Sequence, residues 1–326
     1  MEAIRQAQAE EMERDVRVLV MGEDLRRDVN GTITGFVERF GAGRVRDKPV
    51  CDRGVIGVAA RAAMGGLRPI VDATITSFRF PAMDQICSFV AKSRFIYGGD
   101  AILPMVVRSC LFYGEADPAG PVERPYPIFM NMPGLTVIAP SNAHDMKGLL
   151  KAAVRDEGPV MSFEDSTCWT TSCDVPHDRD FILPLGRGEI RREGRDVTVV
   201  AIAGAVNIAL EAARRLQVEG IALEVIDPRT LVPLDRELIV RSVRKTGRAI
   251  CVDPAHDSCS AASEIAATIA KHARDGLPVP VARVNTADSH LPFGPHVETL
   301  AQRSVGRIMD AARGLVGACV AQPKAA

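Results

Sequence analysis

The chain has 326 residues, enough for two domains of ordinary size. Hydrophobic residues make up 47% and charged residues 25%, the balance of a soluble globular protein, and a formal net charge of −1 argues against a nucleic-acid or basic membrane-surface binder. No apolar run approaches the ~20 residues needed to cross a bilayer, and the acidic start MEAIRQAQAEEMERD does not read as a secretory signal.

That start reads instead as a helix carrying Ile4, Ala7 and Met12 toward a core. RVLVMGED (17–24) predicts a buried strand ending in an acidic turn. Residues 54–75 predict a helix, a Gly-Gly turn and a strand. Residues 80–95 predict a helix, 102–110 a strand and 134–140 another. A helix over 141–156 follows, with Asn142 or Ser141 as its cap, then a strand over 159–165. Strands alternating with helices imply parallel pairing in an α/β layered fold.

The polar stretch from about 166 to 195 breaks this rhythm, and we place the connection between domains at 181–195. The first domain then spans 1–180 and the second 196–326. The second repeats the α/β pattern: strands at 196–205, 221–230, 248–254 and 279–285, with helices at 206–220, 234–247 and 262–276, and residues 305–320 close the domain. The eight cysteines (51, 87, 110, 168, 173, 251, 259 and 319) form no CxxC pair and no zinc-spaced Cys/His cluster. They read as reduced thiols in a cytoplasmic protein, and no metal site within the chain is expected.

Six phrases, in order, carry a family resemblance: MGED (21–24), FGAGRVRDKPVCDRGVIGVAARAAMGGLRPIV (40–71), FPAMDQI (80–86), PGLTVIAPSNAHDMKGLLKAAVRDEGPV (133–160), LPLGRGEIRREGRDVTVV (183–200) and VIDPRTLVPLDRELIVRSVRKTGR (225–248). Their sequence and spacing resemble the beta subunit of the pyruvate, branched-chain 2-oxo acid and acetoin dehydrogenases, thiamine-diphosphate enzymes of the transketolase-like superfamily. The resemblance implies a pyrimidine-binding domain followed by a transketolase C-terminal domain, each a mainly parallel sheet flanked by helices. It also implies a cofactor lying between unlike subunits. The alpha-type partner holds Mg²⁺ and the diphosphate through a GDG motif, which this chain lacks, so an α₂β₂ heterotetramer is expected.

Thiamine chemistry requires a protein carboxylate bonded to a ring nitrogen of the cofactor's aminopyrimidine. The family places a Glu in a P-I-x-E-x-G pattern. Here Pro49-Val50-Cys51-Asp52-Arg53-Gly54 puts Asp52 at that position, one methylene shorter. The bland alternative for Asp52 is a solvated or Arg53-paired acid. By the same resemblance Phe78 would stack on the pyrimidine, Arg79 stands beside it, and Glu23 lies near the cofactor. The backbone around Ala153 and Asp156 matches a region that holds potassium in relatives.

Two departures stand out. The stretch 111–132 has no histidine where the family carries a His-Ser-Gln phrase. Asn131 stands where a second histidine is usual, and His144 is the first histidine in the chain. The loop's Tyr113, Glu115, Asp117, Glu123, Arg124 and Tyr126 have no assignable role. In the second domain His256-Asp257 is a weak dyad candidate, and His290 and His296 match a region that approaches the cofactor from a neighbouring subunit.

Three functions remain open at this point. The first is an enzyme half that decarboxylates a 2-oxo acid or cleaves a ketose, passing the fragment to a lipoyl acyltransferase or an acyl carrier protein. The second is a catalytically weak partner of an alpha subunit. The third is a ketol transferase or acyloin-forming enzyme of a specialised biosynthesis.

Overall fold

The computed structural model describes residues 1–28, 31–75, 80–112, 124–290 and 304–320. Two compact units emerge. The first holds the described residues up to Leu185 together with Thr230–Pro233, and the second holds the described remainder from Gly186 on.

The first unit is built on seven strands: β1 (Val18–Glu23), β2 (Val45–Lys48), β3 (Arg68–Ile75), β4 (Val106–Leu111), β5 (Thr136–Ile138), β6 (Val160–Asp165) and β10 (Thr230–Val232). Their order is β10-β5-β6-β4-β3-β1-β2, parallel throughout except for β10, which pairs antiparallel with β5. Such a sheet is covered on both faces, so its strands read as near-continuous apolar runs. Helix α1 (Glu2–Arg14) buries Ile4, Ala7 and Met12, as its spacing predicts, and packs against α6 (Ala143–Arg155). Asn142 caps α6 by accepting the Asp145 N–H at 2.9 Å. Helix α3 (Asp52–Met64) covers β3, and the short α2 (Phe36–Phe40), α4 (Ser93–Ile96) and α5 (Tyr126–Met130) fill the connections.

Charge as well as apolar packing holds α1 to α6. Lys147 and Lys151 are both fully buried on α6 and share one carboxylate, Glu10 of α1, at 2.7 and 2.6 Å. They also donate to the carbonyls of Pro176 and Arg179, at 2.9 and 2.5 Å. The segment leading out of the first unit is thereby strapped along α6. Leu183 completes the strap: its N–H bonds to the Gly148 carbonyl at 3.1 Å, and its side chain fills the space where a Cβ on Gly148 would stand.

The second unit has the order β12-β11-β8-β9-β7, from β7 (Glu189–Arg192), β8 (Val197–Ala201), β9 (Leu223–Asp227), β11 (Ala249–His256) and β12 (Ala282–Thr286). Helices α7 (Ala205–Val218), α8 (Arg236–Thr246), α9 (Ala261–His272) and α10 (Val305–Val320) flank it. Asp253, fully buried, accepts the N–H groups of Ala255 and Ala262 at 2.8 and 2.9 Å and so holds the first turn of α9. No helix among the described residues is long and apolar enough to cross a membrane.

Three elements depart from the pattern expected of the sequence. The helix over 80–95 is a π-helical stretch, Asp84–Val90, followed by the short α4. Strand β7 lies inside the stretch assigned to the connection. Strand β10 follows β9 directly and joins the first sheet, where a single strand was expected.

Candidate active-site cleft

The carboxyl ends of parallel strands are where α/β sheets place their ligands. At that end of the first sheet, Glu23 closes β1, Asp72 and Ala73 lie near the end of β3, and Asp52 opens α3. These residues, with Val55, Ile56, Val71 and Ala82, line a narrow cleft. Close approach of β1 to β3 builds its floor: Gly22 pairs with Asp72, and a Cβ at Gly22 would collide with the Asp72 carbonyl.

Asp52 is the first helical residue of α3, with Cys51 as its N-cap. Glu23 accepts the Cys51 N–H at 3.0 Å, so one acid of the cleft fixes the helix start that carries the other. The positive end of a helix favours an ionised carboxylate, but burial among the apolar walls wins at Asp52. It pushes the carboxyl above the usual aspartate range, against a bond from its own N–H. Burial likewise raises Glu23, against the bond from Cys51, and the charges of Asp52 and Asp24 add to the rise. Among the described residues neither acid has a cationic partner. Arg53 turns away and donates to the Pro81 carbonyl at 3.5 Å.

Asp72 is different. Arg108, fully buried on β4, donates to it at 3.2 Å and grips Glu164 of β6 with two bonds, at 2.7 and 2.9 Å. Sequence reasoning missed Asp72, because an acid inside the apolar run IVDATI reads as one residue of a strand. An acid in a buried strand, with an arginine in the next parallel strand, is the signal that was there to be used.

Asp52 and Glu23 therefore meet in one cleft, while Phe78, Arg79 and His296 lie outside the described residues, as do Tyr113, Glu115, Asp117 and Glu123. Tyr126 and Arg124 are buried rather than on a surface loop, and Tyr126 packs edge-on against Phe163. His144 bonds to its neighbour Asp145 at 2.9 Å, away from the cleft. His256 and Asp257 are engaged elsewhere: His256 Nδ1 lies 2.8 Å from the Ala287 carbonyl, and Asp257 accepts Arg283 at 3.1 Å. His290 is exposed. Near Ala153 and Asp156, the carbonyls of Val154 and Asp156 accept Arg68 Nη1 at 3.0 and 2.9 Å.

Two carboxyl groups with no counter-cation among the described residues, set among small apolar walls, suit a flat heterocycle with a protonatable ring nitrogen. The donor set thus fits the pyrimidine end of thiamine diphosphate. Among the described residues no group of His, Cys, Asp and Glu has the arrangement to hold a metal ion.

Comparison with known proteins shows the family to which the chain belongs. Residues 1–166 match the family described as transketolase, pyrimidine binding domain, and residues 186–308 match transketolase, C-terminal domain. The acetoin:2,6-dichlorophenolindophenol oxidoreductase subunit beta of Bacillus subtilis (strain 168) is 38% identical, over 97% of this chain and 96% of that one. The 2-oxoisovalerate dehydrogenase subunit beta of the same organism is 40% identical, over 91% and 92%. The pyruvate dehydrogenase E1 component subunit beta of Rhizobium meliloti (strain 1021) is 36% identical, over 96% and 69%. Among solved structures, a split gene transketolase, described as an inactive beta4 tetramer, superposes with a TM-score of 0.77 over 97% of both chains at 23% identity, a likeness of fold.

Proposed function

We propose that this chain, which belongs to the transketolase-like family of thiamine-diphosphate enzyme beta subunits, is the beta-type half of a heteromeric 2-oxo acid dehydrogenase first component. The observation that carries the reading is the placement of Asp52 and Glu23, with no cationic partner among the described residues, in one largely apolar cleft at the carboxyl end of the sheet. When bound, thiamine diphosphate supplies a thiazolium C2–H whose loss creates the nucleophile. Asp52 holds the proton shared with the pyrimidine ring nitrogen. Glu23 orients the start of α3 through Cys51 and lies beside it as a second acid. Val55, Ile56, Val71, Ala73 and Ala82 exclude water from the ring, and Phe78 and Arg79 complete the cofactor contacts.

An alpha-type subunit supplies Mg²⁺ and the diphosphate contacts in an α₂β₂ assembly, working in a reduced cytoplasmic setting. The substrate is a 2-oxo acid, and the fragment passes to a lipoyl acyltransferase. The relatives' names favour this over a ketose substrate with an acyl carrier protein as acceptor, and over a ketol-transfer or acyloin-forming role. A potassium ion near Ala153 and Asp156 would have to compete with the Arg68 guanidinium for the Asp156 carbonyl.

The test is C2–H/D exchange of the cofactor in the assembled complex, with cofactor binding measured separately. Asp52→Asn should slow exchange on the order of 100-fold, the usual worth of one acid–base group. Asp52→Glu should retain exchange. Equal rates for wild type and Asp52→Asn reject Asp52 as the activating carboxylate and leave a scaffolding subunit as the better account.

A further inference from the structure

Helix α3 turns Val55, Ile56, Ala59, Ala60 and Ala63 inward and packs on β3 and β1. The π-helical stretch Asp84–Val90 packs against α3 and buries Ile86 and Val90. The outward side of such a layer is ordinarily polar. Here it carries Phe95, Ile96 and Tyr97, exposed by 90, 61 and 48%. Of the twelve exposed large apolar side chains among the described residues, eight lie on the segments 50–67 and 80–102. Tyr97 and Ile102 meet Ala63 and Met64 in one open recess, which joins the end of α3 to the end of α4. At the other end of the layer the exposed Val50 and Phe80 stand just before Asp52 and Ala82, which line the cleft. The apolar surface therefore runs from beside the cleft to that recess, a larger continuous exposure than a solitary soluble chain ordinarily carries.

Four exposed cations stand on the same segments: Arg53, Arg61, Lys92 and Arg94. Arginines on other helices are matched within their own helix, Arg5 by Glu2, Arg214 and Arg215 by Glu211, and Arg313 by Asp310. None of the four has an acid three or four residues away on either side. Among the described residues Arg53 reaches the Pro81 carbonyl at 3.5 Å and Arg61 the Met64 sulfur at 3.9 Å, and no carboxylate pairs with any of the four. The exposed acids of these segments are Asp84 and Asp100, so four cations less two acids leave a charge of +2. A chain with a formal net charge of −1 thus presents one basic, aromatic face.

We propose that the outer surface of α3, the π-helical stretch and α4 is the docking face for the alpha-type subunit, and that the partner meets it with an acidic, apolar surface. The identity of the partner rests on the function proposed above; the place and chemistry of the face rest on the residues just named. Aromatic and arginine side chains together are the composition of an interface core. Cations left unmatched among apolar side chains are satisfied by carboxylates that another chain brings. A second copy of this chain fits poorly, because a two-fold contact joins a patch to its own image and sets net-positive surface against itself. Docking here also brings the partner alongside the cleft, since α3 carries Asp52 at its start and the exposed Val58 and Arg61 further on.

The experiment mixes the full chain with its alpha-type subunit and reads assembly by analytical ultracentrifugation and association kinetics at several salt concentrations. Arg61→Glu with Arg94→Glu should weaken the complex on the order of 100-fold, slow association and flatten its salt dependence. Phe95→Asp should weaken it by a similar factor. Both sites are exposed, so each isolated variant should melt within about 2 °C of the wild-type chain. Arg214→Glu, outside the face, should assemble as wild type does. A complex indifferent to both variants overturns the proposal. So does an isolated wild-type chain that self-associates and is made monomeric by Phe95→Asp while the mixed complex is unchanged, for the face then belongs to a second copy. Absence of any complex with the wild-type chain rejects the beta-subunit reading as well, which tells the two failures apart.

Discussion

Glu23 accepts the backbone N–H of Cys51 at 3.0 Å, tying the last residue of β1 to the N-cap of α3. The contact needs an acceptor oxygen and not a charge. Glu23→Gln should therefore keep the helix start in place, with stability within about 0.5 kcal/mol of wild type, whereas Glu23→Ala should lose about 1 kcal/mol, the worth of one part-buried hydrogen bond. Chemical denaturation distinguishes them. Equal losses in both variants would mean that the charge, not the bond, fixes the helix.

Asp52 carries a pH signature. Burial raises its folded pKa, so the native state binds its proton more tightly than the unfolded chain does. Stability from this group then falls as pH rises from the ordinary aspartate value through the raised folded one, by the linkage relation. Asp52→Asn should melt higher than wild type at pH 7, and the two should converge below about pH 4. A variant less stable than wild type at pH 7 contradicts this sign.

The shared carboxylate between two buried ammonium groups predicts a local weak point. Burial opposes ionisation of Glu10, but the bonds from Lys147 and Lys151 win and hold its pKa below the usual range. Its contribution is complete above the ordinary glutamate value and is lost as pH falls through the lowered one. Glu10→Gln leaves the two ammonium groups without their counter-charge and should cost about 3 kcal/mol or more. Hydrogen exchange should show protection lost first over 176–185, the strap whose carbonyls these lysines hold. Uniform loss across the first sheet would argue against a separate strap.

Cofactor binding should need the partner. The cleft is proposed to hold the pyrimidine end alone, and GDG is absent from the sequence. Calorimetric titration of the isolated chain with thiamine diphosphate and Mg²⁺ should show weak binding or none. Micromolar affinity would place the diphosphate contacts in this chain.

The legible parts of the fold were those that local chemistry determines. Asn142 before an apolar-periodic run marks a capped helix, and α1 buries the three residues its spacing selects. Strands β7 and β10 were not legible. Each is three or four residues at a sheet edge, too short to show alternation, and β10 is paired only through contact with a distant strand. The π-helical register of Asp84–Val90 has the composition of an ordinary helix and shows only in its bonding. Asp52 and Glu23, selected by motif position, line one cleft, and their proposed role there awaits the exchange test. Asp72 required knowing that Arg108 stands beside it in the next strand, which is a fact of register.

Strand β10 also bears on how such a gene can be divided. The chain completes its first unit through Leu185, enters the second, and only at Thr230 supplies the antiparallel strand that covers the edge of β5. A reading frame ended at the apparent boundary would yield an amino-terminal product with that edge bare, a template for strand addition by any neighbour. Fission or domain exchange at residue 185 should therefore expose that edge to aggregation, even where the cleft itself is left whole. Viable recombination points must keep 230–233 in the same polypeptide as β5.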